Sequence, residues 1–252
     1  MILASRPFVA IRPTTYESAK ERDYLLGLYQ GRSGQMENST FALLKSDGKT
    51  PLSPISRGPE RVFGSSVRMA EAMRLISAKQ TTKETPGRLK TSPALANLRL
   101  AINVAACDNL PLVVLGPAAG PGFEAAMTDL FFDSPWQGRF VLCQGNASEM
   151  GKLLHLDGGK VPAMAVVQAD PFGLSGRILA RLDPGDKGGK LADTLALGAA
   201  GFQATARNFR GHLTAGFEAG AFWETAIPVT DLQENRARAR HPAAKITPSS
   251  RP

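Results

Sequence analysis

The stretch from Leu110 to Pro162 constrains the fold most. Leu110–Gly116 is an apolar run of strand length, bounded by glycine at its far end, and it reads as a strand buried on both faces. Pro117–Phe123 follows with two prolines and two glycines, which is turn composition, and Gly122–Phe132 then has helical spacing up to Asp133-Ser-Pro135. A second strand is expected at Arg139–Cys143. A second helix is expected at Ser148–Leu156, capped by Ser148 or Asn146 and stopped by Gly158-Gly159. Val161-Pro162 leads into a third strand, Ala163–Gln168. Pro171–Gly176 joins that strand to an antiparallel partner at Ile178–Leu182, and the loop Asp183–Gly189 ends the sheet. Strands alternating with helices of these lengths indicate an α/β class.

With 252 residues, 43% of them apolar, the chain can bury a core of one large domain or two small ones. Its apolar runs stop at about strand length, so no membrane span is expected. Met1–Ala10 lacks a basic region followed by an apolar core. No secretory signal is visible, and a cytoplasmic location is the default expectation. Cys107 and Cys143 stand 36 residues apart, which suits neither a disulfide scaffold nor a zinc or redox pair.

Charge is unevenly distributed. Residues 1–90 carry 15 Lys and Arg against 8 Asp and Glu, residues 91–230 carry 10 against 12, and residues 231–252 carry 5 against 2. A near-neutral body between basic flanks suits docking to an anionic surface, and it equally suits solubility.

Outside the central stretch, Pro7–Ile11 reads as a strand and Glu17–Tyr29 as a helix capped by Thr14 or Thr15. Thr40–Leu44 and Pro51–Ile55 read as a hairpin around Asp47-Gly48, and Val67–Ile76 as a further helix. Residues 1–80 thus form an N-terminal α/β extension. Residues 81–91 read as a Thr-, Lys-, Pro- and Gly-rich linker, and the main domain as residues 92–200, opening with a helix over Pro93–Ala106. Residues 201–252 form a C-terminal helical segment and a basic extended tail. Leu191–Phe222 is broken by glycines into two or three helical pieces, and Arg236, Arg238 and Arg240 share a face only if that tail is extended.

The order strand, Gly-Pro turn, helix, strand, helix and Val-Pro step before a third strand resembles a thioredoxin domain. Ala119-Gly120-Pro121-Gly122 stands where that family carries Cys-Gly-Pro-Cys, 41 residues before Pro162 when counted from Pro121. The resemblance covers under half of the chain. It implies a three-layer domain with a mixed sheet and a cis peptide at Pro162 lining a substrate groove. It also implies a degenerate active-site turn, because neither Ala119 nor Gly122 can form the thiolate or the disulfide that dithiol exchange requires. Residues 1–80, in the order strand, helix, hairpin, helix, resemble the later part of the same fold. They are either a second degraded unit or an extension packed on the main sheet, and no proline directly precedes Phe41.

No other catalytic constellation is visible. His155, His212 and His241 are scattered, without a ligand-spaced carboxylate or second histidine, so no metal is expected. Asp183–Gly189 lacks the Gly-Lys-Ser/Thr ending of a phosphate loop and the alternating ligands of a calcium loop, and no cofactor is expected. The expectation is a non-catalytic binding or structural protein. It would be a subunit of a larger assembly, docking to protein partners through its basic N-terminal region and through Arg236, Arg238 and Arg240. Two rivals stand beside it, a thiol redox protein using Cys107 or Cys143 and a nucleic-acid-associated protein working through the basic arms, although no aromatic interleaving or binding motif supports the latter.

Overall fold

A computed structural model describes residues 2–5, 7–31, 34, 36, 39–80, 94–132, 136, 138–156, 160–186, 190–206, 208–221, 225–230, 236 and 239. The chain divides into two compact units, Met1–Thr85 with Phe222–Pro252, and Pro86–Ala221. The linker expected at 81–91 lies outside the described residues.

In the second unit a helix Leu98–Asp108 (α5) precedes the first strand, Leu112–Leu115 (β1). Helix Pro121–Phe132 (α6), strand Val141–Gln144 (β2), helix Ala147–Leu153 (α7), strands Met164–Ala169 (β3) and Gly176–Leu182 (β4) and helix Leu191–Gly201 (α8) follow, and a last helix, Phe209–Glu218 (α9), comes after a break. The sheet order is β2-β1-β3-β4, with β1 parallel to β2 and antiparallel to β3, and β3 antiparallel to β4. Between Val166 and Val167 the β3–β4 register shifts.

All of β1 and the first four residues of β3 are buried, which explains continuous apolar runs in place of alternation. Val113, Leu115, Met164 and Val166 face Met127 of α6 and Leu191 and Leu195 of α8. Leu112, Val114, Ala165 and Val167 face Leu98, Ile102 and Ala105 of α5 and Met150 of α7. The unit is therefore a mixed sheet between two helical layers. Gly198 lets α8 come down on β3, since a Cβ there would lie 2.4 Å from Val166 Cγ1.

One expectation is corrected here, and two that left alternatives open are resolved. The helix anticipated from Pro93 starts at Leu98, capped by Asn97, because Leu95 instead pairs in parallel with Cys143. Its N–H donates to the Leu142 carbonyl at 2.9 Å and its carbonyl accepts from Gln144 N–H at 2.8 Å. Asn146, rather than Ser148, caps α7, accepting from Glu149 N–H at 2.9 Å. The Leu191–Phe222 region breaks into two helices, with Phe202–Ala206 between them neither helical nor strand.

The first unit holds four short helices among its described residues, Ile2–Ser5 (α1), Ala19–Leu28 (α2), Pro59–Phe63 (α3) and Ser66–Lys79 (α4). Ala4, Leu43, Ala70 and Met73 form its core, with Phe41 and Phe63 meeting edge to face at 6.1 Å. Pro7–Ile11 is not a strand: Val9 and Ile11 are 83% and 71% exposed, and no strand among the described residues takes up their backbone. Ser18, rather than Thr14 or Thr15, caps α2, while Thr14 donates from its N–H and hydroxyl to Glu21. The hairpin at 40–55 survives only as two isolated bridges, Phe41 with Ser56 and Leu44 with Pro51. Pro51 and Pro54 have no N–H to extend the ladder.

Candidate functional site

The Gly-Pro turn is set by the end of β1. Gly116 N–H donates to the Ala163 carbonyl at 2.9 Å, so the chain leaving β1 lies beside the chain entering β3. A side chain at Gly116 has no room, because its Cβ would lie 2.1 Å from the Pro162 carbonyl oxygen. Ala119 N–H then donates to Gly116 O at 3.0 Å, and Phe123 N–H donates to Gly120 O at 2.9 Å. Gly120 stands in the cap position and Pro121 at the first helical position of α6, where its missing N–H leaves nothing unsatisfied.

Gly116, which opens the turn, and Pro162, 46 residues further on, thus meet at one end of the sheet. Ala119 is partly buried against the α6–α8 face of the core, Gly120 is exposed and Pro162 is buried. Gly122 lies in the first turn of α6. From Gly116 to Gly122, and at Pro162 and Ala163, no residue type is nucleophilic or titratable. The site can present backbone and apolar surface, and it has no group to transfer a proton or an electron pair.

The expected cis peptide at Pro162 is corrected, since there is no cis bond among the described residues. Trans is the lower-energy form of an X-Pro bond unless the surroundings oppose it, by about 0.5–1 kcal/mol. Here the Pro162 carbonyl fits directly over the bare Cα of Gly116, and Gly116 N–H pairs with the next residue.

The cysteines differ in environment. Cys143 is fully buried on the α5–α7 face, and burial, reinforced by the charge of Glu149, pushes its thiol up to about 12. Cys107 is exposed near the end of α5, with Sγ 3.9 Å from Asn103 Oδ1. The apolar stripe of α5 buries Leu98, Ala101, Ile102, Ala105 and Ala106, and Cys107 turns away from it.

Of the three histidines, His241 lies outside the described residues, and among the described residues no three His, Cys, Asp or Glu side chains are placed to hold a metal ion. His155 follows α7 at φ 53°, and Leu156 N–H returns to Gly151 O at 3.1 Å as a helix stop. It borders a shallow cleft of about 500 Å³ that also includes Gln168, Asp170 and Arg177. Asp170 is engaged in its own loop, accepting from the N–H groups of Phe172, Leu174 and Ser175 and from the Ser175 hydroxyl.

Of the three tail arginines, Arg236 is described and exposed, while Arg238 and Arg240 lie outside the described residues. Arg236 is helical, as is Ala239, which corrects the extended conformation expected there. Alternating Ala and Arg are strong helix formers, and that local preference prevails at this point. In the first unit α4 exposes Arg68, Arg74 and Lys79 around a single exposed carboxylate, Glu71.

Two functional-looking residues escaped the sequence reading, Asn109 and Gln168. Asn109 ends α5 at φ 55°, a conformation that asparagine accepts more readily than most residues, so an Asn just past an amphipathic helix was the available signal. Nothing local marked Gln168. Among the described residues no helix is long and apolar enough to cross a membrane. No protein-family model, curated protein or solved structure matches the chain.

Proposed function

We propose that this chain is a non-catalytic, thioredoxin-like binding module, a subunit of a larger assembly that docks through its basic N-terminal region and C-terminal arm. The observation that carries the reading is the β2-β1-β3-β4 sheet with a thiol-free Gly-Pro turn between β1 and α6. The division of helices supports it as well, α5 and α7 on one face and α6 and α8 on the other. Leu95, paired beside β2, stands where a further edge strand of such a sheet would begin. Exposed Arg68, Arg74, Lys79 and Arg236 supply the positive surface for docking.

Native-mass analysis of the complex recovered with the full-length chain from its own cells tests this reading. A stoichiometric partner should appear, and the triple variant Arg236→Gln, Arg238→Gln, Arg240→Gln should recover at least tenfold less of it. Recovery of the wild-type chain alone refutes the docking role. If the partner is a nucleic acid, its retention will fall steeply between 50 and 200 mM salt, on the order of 10³-fold for six or more phosphate contacts.

The redox alternative rests on one observation, the exposure of Cys107. Insulin reduction by the full-length chain should not exceed the thiol-only control. Activity that vanishes in Cys107→Ser would replace the binding reading with that one.

A further inference from the structure

Helix α4, Ser66–Lys79, is completed from within its own unit. Ser65 caps it by accepting from Arg68 N–H at 3.3 Å, and Gln80 N–H returns to the Ile76 carbonyl at 3.2 Å. Ala70 and Met73 are buried in the core of that unit, with Ala4 of α1 and Phe63 of α3 beside them. Met69 and Ile76 pack against the same core, and the other side of the helix is left to solvent.

At about 100° per residue, the exposed positions after the first residue fall on one arc of about 140°. Val67 and Leu75 lie inside that arc, 75% and 59% exposed, with Ala78 between them. Arg74 borders the arc on one side, and Arg68 and Lys79 border it on the other. Glu71 stands in the middle. Among the described residues, none of these four charged side chains makes an ion pair or a side-chain hydrogen bond. Two large apolar side chains inside a border of unpaired cations have the composition of an interface core and its rim.

Charge and apolarity together select the occupant. A nucleic acid would gain from three cations, but Glu71 repels phosphate from the middle of the face, and Val67 and Leu75 offer no ring for a base to stack on. An anionic bilayer would take Val67 and Leu75 into its acyl boundary, but Glu71 would enter with them unpaired. A second copy would set three cations and one acid against the same set, with Arg68 over Lys79 in an antiparallel pair. An extended segment would find no main-chain group to pair with, since those of a helix are used internally. A helix from another protein meets every requirement if it carries an apolar stripe, acids opposite the three cations and a base opposite Glu71.

We propose that this face of α4 is a docking surface for an acidic amphipathic helix of a partner protein, with a Lys or Arg of that helix paired to Glu71. Val67 and Leu75 are its apolar anchors, and Arg68, Arg74 and Lys79 pair with the partner's acids. The inference deepens the docking role proposed above and rests on it, and it is independent of the thioredoxin-like reading.

The test uses the full-length chain and the complex recovered with it from its own cells. Leu75→Ser and Glu71→Lys each change an exposed side chain, so both variants should melt like the wild type. Each should recover at least about tenfold less partner, as for the loss of one interface anchor. Wild-type recovery with either variant overturns the proposal. The sign of the Glu71→Lys effect separates the occupants. That change makes the face more positive, so retention rises on a nucleic acid or an anionic bilayer and falls on a helix whose own cation met Glu71. Any rise overturns the proposal, and so does wild-type binding to vesicles of phosphatidylcholine and phosphatidylserine that is lost in Leu75→Ser.

Carbodiimide treatment of the wild-type complex needs no variant. It condenses a lysine amine with a touching carboxylate to an amide, and the reagent takes up the water as a urea. Peptide mapping should join Lys79 to an Asp or Glu of the partner, and partner crosslinks that involve neither Lys79 nor Glu71 overturn the surface. A wild-type chain recovered alone overturns this inference together with the docking role. A partner kept by both α4 variants but lost with the triple tail-arginine variant overturns this inference and leaves the docking role standing.

Discussion

Alkylation of the native chain at pH 8 should divide the two cysteines sharply. A thiol at its ordinary 9.0 is about one-tenth thiolate at that pH, whereas Cys143, pushed up to about 12, holds about one thiolate in 10⁴. Because the thiolate is the attacking species, ionisation alone slows Cys143 by about 10³-fold. Its side chain is also 0% exposed beneath α5 and α7, so reagent arrives only when that layer opens. Intact mass after iodoacetamide treatment should show one adduct, mapped to Cys107, and a second only in urea. If Cys143 in the folded chain reacts within tenfold of the Cys107 rate, both the burial argument and the thiol-silent reading of the core are wrong.

The same burial fixes a pH dependence. The folded chain keeps the Cys143 proton to about 12, and the unfolded chain releases it near 9.0. A raised folded value means that the contribution is complete below pH 9 and declines as pH rises from 9 towards 12, by about 1 kcal/mol at pH 10. Lys and Tyr titrate in this range too, so the readout is comparative. Urea unfolding at pH 8 and pH 10 should show wild type losing about 1 kcal/mol more than Cys143→Ala, and equal losses would remove the desolvation argument.

Three further outcomes follow from close approaches and from one turn. Gly198→Ala, which in an open helix would stabilise by about 0.5–1 kcal/mol, should cost about 1–3 kcal/mol because the new Cβ would lie within 2.8 Å of three Val166 atoms. Adding Val166→Ala should return part of that loss in a thermal melt, and a neutral Gly198→Ala would show that α8 is not seated on β3. Gly116→Ala should cost at least as much, since what it strikes is the Pro162 carbonyl rather than a movable side chain; wild-type stability would mean that the turn and Pro162 do not meet. Asp47 should titrate at about 2 by NMR, because the Thr50 hydroxyl, the Thr50 N–H and the Lys49 N–H all donate to its carboxylate. Its folded value lies below 3.8, so its contribution is present above 3.8 and lost as pH falls through about 2. A midpoint near 3.8 would dissolve that turn network.

Within the second unit the elements were legible wherever local pattern and burial agree. The runs at Leu112–Leu115 and Met164–Val167 are apolar because both faces are covered, and a continuous apolar run of strand length says so locally. Reading failed where pairing overrode pattern. Leu95 has a helical neighbourhood and lies instead beside β2, and Pro7–Ile11 has strand composition and joins no strand among the described residues. At Arg236 the alternation suggested an extended arm, but alternate charges along a face carry less weight than the helical preference of the residues bearing them.

For the candidate site, sequence alone determined the chemistry that is missing. Ala119 and Gly122 cannot form a disulfide in any fold, and that holds before a single contact is known. It also set the kinds of element that flank the turn, because helical and strand periodicities are properties of short windows. Tertiary structure decided the rest: the strand order and directions, the trans bond at Pro162, the burial of Cys143 against the exposure of Cys107, and the clamping of residues 202–206 by Asn109 and Gln168. Each of these depends on partners distant in sequence. Backbone groups, thiols and amides specify what they can bond to, but only the packing of layers specifies which partner arrives.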